Sequence, residues 1–192
     1  MASEPRQPLI GVLALQGGFE AHERMLSRTG ADTREVRVAG DLEGLDGLVI
    51  PGGESTTMTL GIEREGLAGP LRRLGAAGLP MLGSCAGLIM LDRDHLGIMD
   101  LVAVRNAFGR QIHSFEADVE VRGIPGGPLR AIFIRAPWIA DHGPAVEVLA
   151  TVEGHPVAAR EGSRVAVSFH AELSHDVRLH RYFLELVREQ PV

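Results

Sequence analysis

Cys85 is the only cysteine among the 192 residues. It sits in Gly83-Ser84-Cys85-Ala86-Gly87, a G-x-C-x-G layout. That spacing belongs to a nucleophile elbow, with Cys where hydrolases carry Ser. Met81 and Leu82 lead into the motif, and Ala86 with Leu88 to Leu91 carry a helical composition away from it. A sharp strand-to-helix turn strains the backbone of the nucleophile, and side chains flanking it would clash, which accounts for the glycines. The helix start also directs free N–H groups and the positive dipole end at the sulfur, favouring a thiolate. Without that context, a lone Cys reads as a small buried hydrophobe.

A second pattern supplies the base. Phe169-His170-Ala171-Glu172 follows an apolar run, and in extended chain His170 and Glu172 point to the same side. The carboxylate then holds one imidazole nitrogen while the other faces a nucleophile, the orienting role in a triad. An isolated H-x-E is a weak signal, because such pairs are common on solvated surfaces. Joined to a Cys elbow it gains weight. The other seven histidines show no H-x-x-x-H spacing and no Cys partner, so no metal site is expected. His175 and His180 read as part of a polar face of the last helix.

A third stretch, Pro51-Gly52-Gly53-Glu54-Ser55-Thr56, lies between an apolar strand and a helix. Its glycines leave backbone N–H groups open to a ligand. Phosphate binding is one reading, but the Gly-Lys-Ser/Thr of a P-loop is missing. An oxyanion hole suits the place better, since it needs N–H donors at a strand end near the nucleophile. A plain helix cap by Ser55 is the third reading.

These residues need a frame that brings distant stretches to one place. Leu9 to Leu15 is a nearly continuous apolar run, as in a strand buried on both faces. Phe19 to Arg28 reads as a helix closed by Gly30, Thr33 to Val38 as a strand, and Gly47 to Ile50 as another. Glu54 to Glu65 and Leu67 to Ala77 look helical, broken near Gly66 and Gly69-Pro70. Met81 to Gly83 is the strand before the elbow. This β-α-β-α rhythm predicts a doubly wound α/β fold with sites at the carboxyl ends of strands. The second half is richer in strands, at Ile98 to Val104, Glu116 to Arg122, Ala131 to Arg135, Val146 to Val152, Val157 to Arg160 and Arg164 to Phe169. Asp176 to Glu189 closes as an amphipathic helix. No repeat or linker is visible. Met1 to Pro8 is polar and reads as a flexible N-terminus before one domain spanning 9–192.

Composition narrows the classes. A net charge of −6 leaves no nucleic-acid footprint. No stretch nears eighteen consecutive apolar residues, so no membrane span is expected. A single Cys rules out an internal disulfide and fits a reducing, cytoplasmic setting. All 19 basic residues are Arg, so no lysine Schiff base can form on this chain.

The Cys elbow with a later His-x-Glu resembles the class I, triad-type glutamine amidotransferases. Finer motifs are Leu13-Ala14-Leu15-Gln16-Gly17, Pro51 to Thr56, Arg105-Asn106-Ala107-Phe108-Gly109-Arg110-Gln111 and Phe133-Ile134-Arg135-Ala136-Pro137. Together, and in order, they are similar to the glutaminase subunits of pyridoxal 5′-phosphate synthases. The resemblance implies a single-domain, flavodoxin-like three-layer α/β sandwich with a mostly parallel central sheet. It implies that Cys85 attacks the side-chain amide of L-glutamine while His170, oriented by Glu172, moves protons. It implies that Gly53, Glu54, Ser55, Arg105, Ile134 and Arg135 bind glutamine. The oxyanion would be held at Gly52, Gly53 and Ala86. Ammonia would pass to a separate barrel-shaped synthase subunit, with Gln16 and Gly17 near that interface, and no cofactor or metal is implied for the glutaminase. The rivals are an amidotransferase subunit of another pathway, such as imidazole glycerol phosphate synthesis, a non-catalytic regulatory module on this fold, and a different cysteine hydrolase. Two departures from the family pattern stand out. Ala171 replaces the usual Pro between His and Glu, and the connection from Leu91 to Ile98 is short.

Overall fold

Strands that read as unbroken apolar runs do so because both of their faces are covered. A computed structural model describes residues 6–108 and 114–190. Residues 1–5 of the expected N-terminal tail, Gly109 to Gln111 of the quoted motif, and His113 lie outside the described residues. In chain order the elements are β1 (Leu9–Leu13), α1 (Phe19–Arg28), β2 (Asp32–Val36), β3 (Gly47–Ile50), α2 (Ser55–Arg64), α3 (Ala68–Ala76), β4 (Met81–Ser84) and α4 (Ala86–Leu91). There follow β5 (Leu101–Val104), β6 (Ser114–Val119), β7 (Leu129–Ile134), β8 (Trp138–His142), β9 (Glu147–Val152), β10 (His155–Glu161), β11 (Arg164–Val167) and α5 (Arg178–Arg188).

The central sheet has the order β2-β1-β3-β4-β11-β10-β9. The five strands from β2 to β11 pair in parallel, whereas β10 runs antiparallel to β11 and to β9. Two two-stranded sheets, β5-β8 and β6-β7, are appended. Alternate side chains of the parallel strands enter two different cores. Val12, Val49 and Leu82 pack with Leu26 of α1 and Phe183 of α5. Leu13, Ile50 and Met81 pack with Met58 of α2, Leu71 of α3 and Leu88 of α4. Helices therefore cover both faces of a mostly parallel sheet in one domain. No helix among the described residues is long and apolar enough to cross a membrane.

Several boundaries differ from the sequence expectations for physical reasons. Pro70 does not break a helix; it lies in the first turn of α3, where its missing N–H costs no internal bond. The strand expected from Ile98 begins at Leu101, and Ile98 instead packs against Gly75, where an added Cβ would stand 2.9 Å from it. The short connection after α4 is a compact turn organised by buried Asp92. Its Oδ1 accepts from the Asp94 and His95 amides at 2.9 and 3.1 Å, and its Oδ2 from the Ala103 amide at 3.2 Å. Strand β8 was not expected. Only Ile139 in it is buried, so no apolar alternation announces it.

Candidate active site

Four neighbouring parallel strands, β1, β3, β4 and β11, each deliver a piece of the site at their carboxyl ends, as the topology requires. Cys85 follows β4 with φ 51° and ψ −105°, a strained conformation for a residue with a Cβ. Its amide is pinned to the Val167 carbonyl at 2.8 Å, and its Sγ contacts the Ile134 carbonyl at 3.9 Å. The elbow glycines answer to packing rather than to room around the nucleophile. An added Cβ on Gly87 would stand 1.9 Å from the Ile50 carbonyl oxygen, and one on Gly83 would stand 2.6 Å from that of Gly87. α4 therefore lies directly on the ends of β3 and β4.

His170 comes just after β11, with its amide bonded to the Ile132 carbonyl at 2.8 Å. Its Nδ1 is 2.7 Å from Glu172 Oε1. The expectation of an extended chain here was wrong: Ala171–Leu173 is a 3₁₀ turn, and that curl is what returns the carboxylate to the ring. Burial disfavours a charge on His170, but Cys85 and Glu172 outweigh it and push its pKa up to about 10. Burial likewise opposes ionisation of Glu172, whose side chain is fully buried. The facing His22 and the bond to His170 prevail and hold its pKa down at about 2.

After β3, the Gly52 carbonyl accepts from the Gly18 amide at 3.0 Å. A trans peptide directs C=O and N–H oppositely, so the Gly53 N–H points away from Gly18. Both glycines stand where a side chain would collide: a Cβ on Gly52 would be 2.2 Å from the His170 ring, and one on Gly53 would be 2.4 Å from the Gln16 amide. Gln16 clamps this loop with two bonds, donating to the Glu54 carbonyl at 3.0 Å and accepting from the Glu54 amide at 3.2 Å. Gly17 has φ +87°, and a Cβ on it would be 1.9 Å from the Gly52 oxygen. The cap of α2 is Glu54 rather than Ser55. Its carboxylate accepts from the Thr56 and Thr57 amides at 3.1 and 2.8 Å, which hold its pKa down at about 2. Ala86 is the first residue of α4, so its N–H has no acceptor within the helix.

These elements surround a cavity of about 340 Å³ lined by Gly53, Glu54, Ser55, Cys85, Ala86, Ile89, Arg105, Asn106, Ile134, Arg135 and His170. All six residues expected to contact glutamine line it. Glu172 lies behind His170, and Gly52, Gln16 and Gly17 support the wall without lining it. Arg105 donates to Ser55 Oγ and Thr56 Oγ1, both at 3.1 Å. The small sheets bring Arg105 and Arg135 from the far side of the cavity. Ile89 and Asn106 were missed as lining residues, although Asn106 falls inside a quoted motif. Four described residues other than glycine have positive φ, and three of them, Cys85, Asn106 and Arg135, line this one cavity. Such clustering is typical of functional sites.

The placement of two histidines on a polar helix face is overturned. His175 precedes α5, and His180 is fully buried, 2.9 Å from the equally buried His22. Among the described residues no cluster of three or more His, Cys, Asp or Glu is arranged to hold a metal ion.

A family model described as the SNO glutamine amidotransferase family matches residues 12–189. The chain is 52% identical over 192 residues to the pyridoxal 5′-phosphate synthase subunit PdxT of Parafrankia sp. (strain EAN1pec), covering 95% of each chain. It is 50% identical to the protein of the same name from Geobacillus kaustophilus (strain HTA426), covering 94% of this chain and 95% of the relative. A crystal structure titled as a glutamine amidotransferase superposes with a TM-score of 0.87 at 45% identity, covering 93% of this chain and 98% of the other. A putative GMP synthase subunit from Thermoplasma acidophilum, 21% identical with a TM-score of 0.71, shares the fold.

Proposed function

Because the chain belongs to the SNO glutamine amidotransferase family, we propose that Cys85, His170 and Glu172 form the catalytic triad of a glutaminase. The chain is the glutaminase subunit of a pyridoxal 5′-phosphate synthase and hydrolyses L-glutamine to L-glutamate and ammonia. The observation that carries the triad is the strained Cys85 sharing one cavity with a His170 ring that Glu172 holds at 2.7 Å.

The Cys85 sulfur attacks the side-chain amide carbon of glutamine, and the carbonyl oxygen takes the negative charge. The Gly53 and Ala86 N–H groups, set by the Gly52-Gly53 loop and the start of α4, stabilise that oxyanion. His170 gives its proton to the departing nitrogen, and ammonia leaves a γ-glutamyl thioester. His170 then takes a proton from water, which attacks the thioester, releasing glutamate and restoring the thiolate opposite the protonated His170. Glu54, Ser55, Arg105, Ile134 and Arg135 hold the amino-acid end of the substrate. Ammonia passes to the barrel-shaped synthase subunit within a hetero-oligomeric complex in the cytoplasm. Gln16 and Gly17, which clamp the oxyanion loop, are assigned to the contact with that subunit.

The test is glutamate release by this chain with and without the synthase subunit. The wild type should be far more active in the complex, and folded Cys85→Ala should be inactive in both. Appreciable release by folded Cys85→Ala removes the triad assignment.

A further inference from the structure

Behind the proposed triad lies a run of buried polar groups that the reaction above does not use. His22 of α1 and His180 of α5 are both fully buried, and His22 Nδ1 is 2.9 Å from His180 Nε2. The other nitrogen of His22, Nε2, is 2.9 Å from Ser84 Oγ and 3.4 Å from Glu172 Oε2. That Glu172 oxygen and His180 Nδ1 are both buried with no hydrogen-bond partner, so His22 Nε2 at 3.4 Å is an electrostatic contact of the oxygen and not a bond to it. Ser84 is the residue immediately before the nucleophile. One ring therefore touches both the elbow and the triad carboxylate.

The positions of the protons follow from what each arrangement would leave unpaired. With the His22 proton on Nδ1, it would donate to His180 Nε2, forcing the His180 proton onto Nδ1. That would bury an N–H donor with no acceptor, and would turn a bare Nε2 lone pair of His22 toward a carboxylate. With the proton on Nε2, the N–H donates to Ser84 Oγ, and its positive end lies beside Glu172 Oε2 at 3.4 Å without forming a hydrogen bond to it. His180 then donates from Nε2 to His22 Nδ1, and the atom left over is a bare His180 lone pair, which is the smaller loss.

We propose that His22 is a positioning residue: as its Nε2–H tautomer, locked by His180, it fixes the outer oxygen of Glu172 and so aims the inner oxygen at His170. The inference rests on the glutaminase reading above for its consequence in turnover, but not for its geometry. Burial keeps both rings neutral, lowering His22 against the pull of Glu172 and lowering His180 to about 3. What reaches the carboxylate from behind is thus an N–H dipole, while the full positive charge stays on His170 in front. The titratable groups facing Glu172 are His22 and His170. Those facing His22 are His180, Glu172 and, further off, His170.

Two measurements test this on the full chain. The ¹⁵N imidazole spectrum at neutral pH should show His22 and His180 both as neutral Nε2–H tautomers; an Nδ1–H or doubly protonated His22 overturns the proposal. This readout is independent of glutamine. In the complex with the synthase subunit, His22→Leu should lower kcat for glutamate release by about tenfold to a hundredfold, the range seen when the outer partner of an oriented catalytic group is lost. KM should stay within about twofold, because His22 lies outside the cavity. His22→Gln, which keeps an N–H donor at similar reach, should recover most of the loss. Should His22→Leu fold poorly, His22→Leu with His180→Leu removes both polar partners together and restores an apolar fit. Unchanged kcat in a folded variant, or equal loss for Leu and Gln, overturns the positioning role. A wild-type complex that releases no glutamate overturns the functional reading instead, and the tautomer measurement then decides the role of His22.

Discussion

Two imidazoles face one carboxylate from opposite sides, and they end in opposite states of charge. On the cavity side, His170 keeps 12% of its side chain exposed, meets Glu172 at 2.7 Å and adjoins the Cys85 sulfur; its pKa rises to about 10. On the sealed side, His22 has no exposure, stands 3.4 Å from the other oxygen and shares its remaining nitrogen with another imidazole; its pKa falls. Proximity to a carboxylate is therefore not what charges a histidine. A short direct bond, a second favourable partner and some access to water are needed to outweigh desolvation.

The sharpest way to break this contrast is to neutralise the carboxylate without moving it. Glu172→Gln should cost up to about 10⁴-fold in kcat, as when a triad carboxylate becomes an amide. It should also lower the midpoint of His170 titration, read by NMR. A midpoint that stays near 10 would mean that Cys85 alone sustains the imidazolium.

The next effect is on stability, and its sign differs on the two sides. His180, at about 3 when folded, and His22, also lowered, are uncharged in the native state but take protons near pH 6.5 once unfolded. Their contribution is complete above about pH 6.5 and declines as pH falls, by about 1.4 kcal/mol per pH unit for His180, with His22 adding in the same direction. His170, raised to about 10, contributes fully below about pH 6.5 and loses that contribution as pH rises through 10. Urea unfolding across pH should therefore give a dome with its top near neutrality. His180→Gln should flatten the acid limb only. A flat acid limb in the wild type would place a charge on the sealed side.

Arg135→Ala tests the cavity side alone. Arg135 lines the cavity from the end of β7 with φ 44°. KM for glutamine should rise by about tenfold, the worth of one charge-assisted hydrogen bond, with stability unchanged or slightly improved. An unchanged KM in the complex would remove Arg135 from the substrate site. The smallest effect is expected for Ala171→Pro. Ala171 opens a 3₁₀ turn, where Pro fits, so unfolding should become harder by under about 1 kcal/mol with little change in kcat. A large fall in kcat would show that Ala171 is needed for the aim of His170.

The sequence made the cavity side legible and hid the sealed side, for a physical reason. Cys85, the Gly52-Gly53 pair and His170-x-Glu172 are marked by short spacings whose chemistry can be stated without a fold. The parallel core strands were equally plain, because burial on both faces leaves unbroken apolar runs. His22 and His180 carry no such mark. They lie 158 residues apart, and each falls on an amphipathic helix where a histidine ordinarily reads as polar surface. Glu54 hid as a cap because Ser55 beside it is the commoner choice. The appended strand β8, with one buried residue, offered no period to read.

The bond between His22 and His180 also sets an order in time. On the ribosome, Ser84, Cys85 and even His170 emerge before the ring that selects the His22 tautomer. Until α5 is made and docked, His22 Nδ1 lacks the partner that selects its tautomer. A growing chain can therefore complete the elbow stretch before the histidine pair behind it exists. The sealed side is complete only when elements near the two ends of the described chain, α1 and α5, have met in the core.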